Sequence, residues 1–516
     1  MLAYTGLFLW LGHTFQGGLH AVQYLLKVLT VVALVQSVVG LVQFFVGWLL
    51  WIPPEMNPPY AFLGVANYFG ETMLLLFVVA GATAVLHRGI WRWLGIAAAL
   101  LTLVAGFSAR STAVNIGFGI VLLLAGFCLL AIGLGKWRKQ GLPWYLKGRA
   151  RLLVLLLLLV GGALGGYALR KEKLTGVAVA DVRNTNDSEV ERLVLWRETL
   201  RLAVERPVLG VGAGNWRFHI LENGVCSNFQ GFATRFFQRA HNDFLQNLAE
   251  RGWPGGLAFL ALFLLSFVFG WRFLEQKAKW EDKILVAMGL CGLGAWLVLA
   301  SFAFPMERPL QFALLFFFFS AISIGIPQKW NREYPSFLLP LILLPTSIGL
   351  VGLSGLMMQS DQHAMLIMQA RIQQNWPVVI REAEAAQQWY YPVNFANGTP
   401  LSWYIGTGYL LQGGNLASFS HLQKAHHIHP WHPHVGSNYA AALHGQGAVE
   451  ECKMIMEDLL ITYPEFHEVR INLNELYLQE GNRNKVNENL SYWENNTKPN
   501  HYSSYLKQVK EKLGGQ

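Results

Sequence analysis

Charge is scarce in these 516 residues: Asp, Glu, Lys and Arg make up 14%, where soluble domains carry about 25%. Hydrophobic residues make up 53%, so most of the chain belongs in a membrane. Cysteine is scarce too. Cys128 and Cys291 lie in apolar runs, Cys226 and Cys452 in polar ones, and no CxxC pair occurs, so no disulfide framework can be read. A signal peptide with a small-residue cleavage site is also missing, and the first apolar segment is expected to stay in the membrane. The net charge of +9 comes without a basic stripe interleaved with stacking aromatics, so nucleic acid is not an expected partner. Lys and Arg gather instead in short loops between apolar runs, as the positive-inside rule requires. Many of the nineteen Trp, Trp48, Trp51, Trp91 and Trp93 among them, stand at the ends of those runs, where interfacial belts form.

A spanning helix needs roughly 20 apolar residues. Candidate spans cover residues 2–19, 28–50, 66–86, 91–107, 114–135, 152–170, 255–274, 284–304, 308–326 and 337–358. The first is diluted by His13, Gln16 and His20. The basic loops 135–151, 271–283 and 327–335 mark the cytoplasmic side, and 87–93 joins them by parity. The opposite face then receives the turn around Ser108–Asn115, the long loop from about 171 to 254, and everything after 358. The expected fold is all-α, a polytopic membrane protein of about ten transmembrane helices. Its expected divisions are N-terminal transmembrane helices at 1–170, a large polar loop at 171–254, C-terminal transmembrane helices at 255–358, and a helical-repeat domain at 359–516.

The repeat expectation rests on a period. Gly413, Gly447 and Gly481 are spaced by 34, as are Pro430 and Pro464, and Tyr409, Leu443 and Tyr477. A 34-residue helix–turn–helix unit with a proline closing its second helix resembles the tetratricopeptide repeat. Such arrays stack into concave surfaces that bind proteins.

Chemistry is concentrated in the long loop. Residues 188–206 predict a helix with Leu193, Trp196, Leu200 and Ala203 on its core stripe, ended by Pro207. "GVGAGN" follows as a tight turn, because it lacks the spacing and the βαβ setting of a dinucleotide loop. In "RAHNDFLQNLAERGWPGG" (239–256), Asn242 or Asp243 caps a helix that Gly252 ends, with His241 at its start. Arg235 and Arg239 stand just upstream. An imidazole, guanidiniums and a helix N-terminus beside a bilayer suit a phosphate-bearing lipid. Glu250 lies about 13 Å further along that helix and cannot orient His241 without a bend. A hydrogen-bonded structural histidine is the plainer reading of the same residues.

Three segments carry a resemblance: Arg192–Leu200 with its R-x-x-x-W pattern, "RPVLGVGAGNW" (206–216), and "AHNDFLQNLAERGWPG" (240–255). Together with "SARS" (108–111) and "FPMERPLQFALLFFFFSAISIG" (304–325), they resemble the O-antigen ligase and O-antigen polymerase superfamily of bacterial membrane glycosyltransferases. The resemblance implies a bacterial inner-membrane protein whose loop and C-terminal domain are periplasmic. It implies transfer of a glycan from an undecaprenyl-pyrophosphate carrier to an acceptor hydroxyl, on a lipid, a glycan or a protein, with no metal and no cofactor. His241 would be the general base, and Arg110, Arg192, Arg206 and Arg239 would bind the donor pyrophosphate. Members of that family have more spans than this chain, which implies a helix or two upstream of Met1. The repeats lie outside the core pattern and point to a protein partner.

Two other functions compete. A transporter would place polar residues at mid-span, where Gln36, Gln43 and Glu71 are the main examples. A scaffold of an exopolysaccharide assembly complex would use the repeats alone. One further cluster, "HLQKAHHIHPWHPH" (421–434), holds six histidines without Cys or acidic ligands, and reads as a solvated loop rather than a metal site.

Overall fold

The computed structural model describes residues 2–46, 59–134, 188–222, 224–225, 237–326, 338–496 and 503–514. The expected span 152–170, the loops 135–151 and 327–335, Arg235 and Cys226 lie outside them. Nineteen α-helices account for nearly all the regular structure, and no strand occurs among the described residues. In chain order they are α1 (Leu2–Gln16), α2 (Leu19–Val46), α3 (Ala66–Leu86), α4 (Ile90–Ser108), α5 (Thr112–Leu134), α6 (Ser188–Glu205), α7 (Trp216–His219), α8 (Asp243–Glu275), α9 (Trp280–Phe302) and α10 (Pro309–Ser323). There follow α11 (Leu338–Ile372), α12 (Trp376–Ala386), α13 (Leu401–Leu411), α14 (Asn415–Ile428), α15 (Pro433–Gly445), α16 (Val449–Thr462), α17 (His467–Gln479), α18 (Arg483–Asn496) and α19 (Ser503–Gly514).

Six of these, α2 to α5, α8 and α9, are long and apolar enough to cross a membrane. The chain is therefore a multi-pass membrane protein. Two expected spans come out shorter: α1 and α10 have 15 residues each. The expected span 337–358 and the polar residues after it form one helix, α11, of 35 residues with Pro345 inside.

The described chain separates into two compact units. The first comprises Met1–Gly176, Thr199–Ala213 and Arg239–Val351; the second comprises Val177–Glu198, Gly214–Gln238 and Gly352–Gln516. In the first, α3 and α9 are central: 72% and 83% of their apolar windows are buried, against 28% for α2, α4 and α8. The outer helices turn their leucines and valines outward, as lipid-facing helices do. Small residues allow close approach where lipid supplies no hydrophobic drive between helices. A side chain at Gly292 would collide with the Phe318 ring. Buried hydroxyls link the helices, with Thr30 on α2 donating to Thr83 on α3 at 2.9 Å.

The second unit carries the period. The turns α13–α14, α15–α16 and α17–α18 contain Gly413, Gly447 and Gly481, with φ of 79°, 80° and 71°. Each turn is closed by the same two bonds. Gly414, Ala448 and Asn482 donate to the carbonyls of Tyr409, Leu443 and Tyr477 at 2.9, 3.0 and 2.9 Å. Gly413, Gly447 and Gly481 donate to Leu410, His444 and Leu478 at 3.1, 3.0 and 3.1 Å. This is the Schellman pair, which needs a left-handed residue and so selects glycine. The 34-residue spacing of Tyr409, Leu443 and Tyr477 is thus the spacing of three carbonyls that end a helix.

Candidate active site

The segment around His241 is built from its own capping residues. Asn242 is the N-cap of α8, and its Oδ1 accepts the Leu245 N–H at 3.0 Å. Gln246 reaches back, and its Oε1 accepts the Ala240 N–H at 3.1 Å. Between these two bonds the chain turns sharply, and His241 takes φ +53°. Only four non-glycine residues among those described have positive φ: Ala61, Arg110, His241 and Gln374. Two of the four are site residues expected from the sequence. Arg110, at +54°, is exposed in the turn between α4 and α5, where its N–H bonds to the Phe107 carbonyl at 3.1 Å. Such a backbone costs of order 1–3 kcal/mol per residue and persists where surrounding contacts impose it.

Those contacts come from the segment after α9. The Phe304 ring meets the His241 imidazole edge-on, 5.2 Å between centroids. Asp243, 3% exposed, accepts the Met306 N–H at 3.0 Å. Asn247 donates to the Asp243 carbonyl at 2.7 Å and lies 3.0 Å from the Met306 sulfur. Glu307 is ion-paired with Arg239. Burial pushes the Glu307 carboxyl above the ordinary range, and Arg239 pulls it back only in part. The neighbouring Arg308 is ion-paired with Glu71 of α3 and lies 3.5 Å over the Tyr68 ring and 4.4 Å from that of Phe304. Gln311 donates to the Glu71 carboxylate at 3.4 Å, to the Tyr68 carbonyl at 3.2 Å and to the Thr72 hydroxyl at 3.3 Å. A buried pair of this kind is held by its extra hydrogen bonds, because Coulomb attraction alone barely offsets desolvation.

Contacts relay from His241 through Phe304 and Arg308 to Glu71. Beside Glu71, Gly70 packs so closely on Ala109 that a side chain there would collide. The turn bearing Arg110 therefore stands at the same end of the first unit as His241. In the sequence Glu71 stands out only as a mid-span polar residue, and Glu307 and Arg308 only as part of a helix pair. The available signal was their position, two charges side by side in an otherwise apolar stretch.

The two glycine-bearing segments meet. Val211 and Gly212 donate to the carbonyls of Ala249 and Glu250, both at 2.9 Å, and Trp253 donates to that of Pro207 at 2.8 Å. Gly210 has φ +67°, and a methyl there would overlap the Ala249–Glu250 backbone. Gly252 also has φ +67°, with ψ −178°, and a methyl there would overlap the Pro207–Val208 backbone. "GVGAGN" is thus a tight turn. Gly252, in non-helical geometry, ends the first helical stretch as its position in the sequence predicts, and the chain resumes as a helix directly after this break, with Pro254 in the new first turn. Gly252→Ala is expected to cost about 1–3 kcal/mol from backbone conformation alone. Gly119→Ala on α5, which faces open space, should cost little. Thermal melting of the two variants tests this, and equal melting temperatures would remove the docked-turn account.

Helix α6 corrects the expected stripe. Leu195, Leu202 and Ala203 are buried together with Glu198 and Thr199, whereas Leu200 is 43% exposed and Leu193 and Trp196 are half-buried. Arg206, half-buried, follows the end of α6, and its carbonyl accepts the Gly210 N–H at 3.1 Å. His241, Arg239, Arg206 and Arg110 belong to the first unit, and Arg192 to the second.

The histidine tract is also corrected, since it is not a solvated loop. His429 and His432 are 2% and 1% exposed. His432 accepts the Val435 N–H at 3.4 Å, capping α15, and its other nitrogen lies 3.3 Å from the Thr399 hydroxyl. Residues 216–222, from the long loop, cover this tract within the second unit. Phe218 meets His429 edge-on at 5.0 Å, His219 lies 4.5 Å from Trp431, and the Tyr463 hydroxyl lies 3.2 Å from the Leu221 carbonyl. Truncating the chain near residue 360 would strip that segment of its packing, so it would not isolate the catalytic part.

Residues 97–260 match the family model described as O-Antigen ligase. A search of curated proteins found no match to the chain.

Proposed function

From an O-antigen ligase domain at residues 97–260, we propose that this membrane protein moves a glycan from an undecaprenyl-pyrophosphate carrier to an acceptor hydroxyl. Such domains serve polysaccharide biosynthesis, and all five site residues expected from the sequence fall inside the matched segment. The observation that carries the proposal is His241, held out of helical geometry at the capped head of α8. A neutral imidazole there takes the proton of the acceptor hydroxyl. The acceptor oxygen bonds to the anomeric carbon as the bond from that carbon to the pyrophosphate oxygen breaks. The electron pair leaves with the pyrophosphate, and fixed guanidiniums stabilise its charge without a metal. Arg110, Arg192 and Arg206 are assigned that task. Arg239 is assigned a smaller share, because Glu307 already opposes its charge.

The basic loops support placing the protein in the bacterial inner membrane, with the His241 segment and the second unit periplasmic. The 34-residue hairpins are assigned as tetratricopeptide-like units that recruit a protein partner of glycan assembly. A protein O-oligosaccharyltransferase would share the chemistry and differ in acceptor. The transporter reading loses support because Glu71 pairs with Arg308, and Gln43 accepts the Ala61 N–H at 2.7 Å.

The test is a transfer assay with the whole protein in detergent and an undecaprenyl-pyrophosphate glycan. Lipid A–core, free glycan and peptide acceptors are offered separately, with and without EDTA. Transfer that survives EDTA is the expected result, and the acceptor used separates ligase, polymerase and protein glycosylation. No transfer to any acceptor would overturn the proposal in favour of the scaffold or transporter. Arg110→Ala should raise the KM for the donor more than it lowers kcat. Arg110→Lys should rescue poorly, because an ammonium cannot replace a bidentate fork. Full rescue by lysine would remove the bidentate contact.

A further inference from the structure

The face that α6 was expected to bury is exposed. Leu200 and Val204, one helical turn apart, are 43% and 67% exposed, and Val208 and Leu209 beyond them are 66% and 82% exposed. These residues stand beside the head of α8, since Trp253 bonds to Pro207 and the Gly252 backbone touches Val208. Trp253 and Leu257 there are 42% and 56% exposed. The polar side of the same helix end carries Arg201, paired with Glu205 at 2.9 Å.

We infer that the apolar ridge from Leu200 to Leu209, together with Trp253, inserts into the head-group boundary of the bilayer, beside the point where α8 enters it. The occupant is lipid because the ridge runs without a break into a surface that lipid must cover. From Leu257 onward the outward leucines of α8, Leu260 and Leu264 among them, are 40% or more exposed on a helix able to cross the membrane. Exposed Trp is typical of the interface, and a helix end with one apolar and one charged side lies in that plane. An apolar surface extending beyond a span marks an interaction site. The three backbone bonds between the 207–212 turn and the 249–253 kink make this foot and the start of α8 one rigid piece. The foot thereby sets the depth of the helix that begins next to His241, and it does so whether or not the chain transfers glycan.

Spin labels in the full chain, reconstituted in lipid nanodiscs, test this. Leu209→Cys and Val208→Cys are made in a Cys226→Ser background, where Cys128, Cys291 and Cys452 are buried. Glu450→Cys, whose side chain is 85% exposed on α16, serves as the water reference. Collisions with oxygen, which concentrates in lipid, and with a water-soluble nickel chelate are measured. The expected result is a several-fold loss of nickel accessibility at positions 208 and 209 with a rise in oxygen accessibility. Labels that match the Glu450 position would overturn the inference. So would labels shielded from both reagents, which would mean that another protein or a second copy covers the ridge.

Discussion

His241→Ala is expected to lower glycan transfer by about 10²–10⁴-fold, the share a positioned general base contributes, while abundance and melting temperature stay close to wild type. The side chain is half-buried and packs edge-on with Phe304. The caps that hold the segment, Asn242 and Gln246, are separate residues whose bonds do not involve the imidazole. Two further variants sharpen the result. Asn tolerates the left-handed region but is no base, so His241→Asn should be as inactive as alanine. Glycine removes the conformational cost, so His241→Gly should melt at or above the wild-type temperature and still be inactive. A strained residue whose relief stabilises the fold and removes activity is retained for function. Near-normal transfer by any of the three would end the assignment of His241 as the base.

Acid is expected to destabilise the second unit strongly. Burial, with Arg217, His219 and His426 nearby, pushes the His429 pKa down to about 3. Burial also holds His432 well below its ordinary value, and His429, His434 and Arg371 act in the same direction. Both imidazoles are neutral in the fold. Above the unfolded value of about 6.5 they cost nothing. As pH falls below it, the unfolded chain gains protons that the folded one refuses, so stability drops by about 1.4 kcal/mol per pH unit per histidine. For His429 the loss continues down to about pH 3. At pH 5 His429 alone costs about 2 kcal/mol relative to pH 7.5, and His432 adds to it in the same direction. Hydrogen exchange at both pH values should show lower protection factors for residues 216–222 and 429–435 in acid. His429→Phe, which keeps a ring against Phe218, should remove the His429 share of that pH dependence. Identical protection factors at both pH values, with the slower chemical exchange in acid divided out, would contradict the burial of these groups.

Much of the architecture is legible in the sequence because it repeats. Apolar runs bounded by Trp and basic loops read directly as helices, and the glycine period reads as helix-ending turns. What was not legible is long-range. Glu71 and Arg308 are 237 positions apart, and nothing local to either announces the other. On α6 the stripe Leu193, Trp196, Leu200 and Ala203 has helical spacing, but so do the residues that are buried. Apolar side chains occur on two faces of that helix, and polar Glu198 and Thr199 sit inside. The histidine tract looked solvated because it is polar, and only the fold brings residues 216–222 over it. His241 was found from its neighbours, the cap and the arginines. Its backbone conformation, which it shares with Arg110, left no trace in residue type.

The pairing of Gly210 with Gly252 limits how this segment can change over time. Each glycine faces the backbone of the other's segment, so neither has a neighbouring side chain that could shrink to make room. Most tight contacts can drift by compensation, one residue growing as its partner diminishes. This contact has no such route: a second substitution cannot rescue the first, and the double variant would carry both collisions. Change here can come only by rebuilding both turns at once.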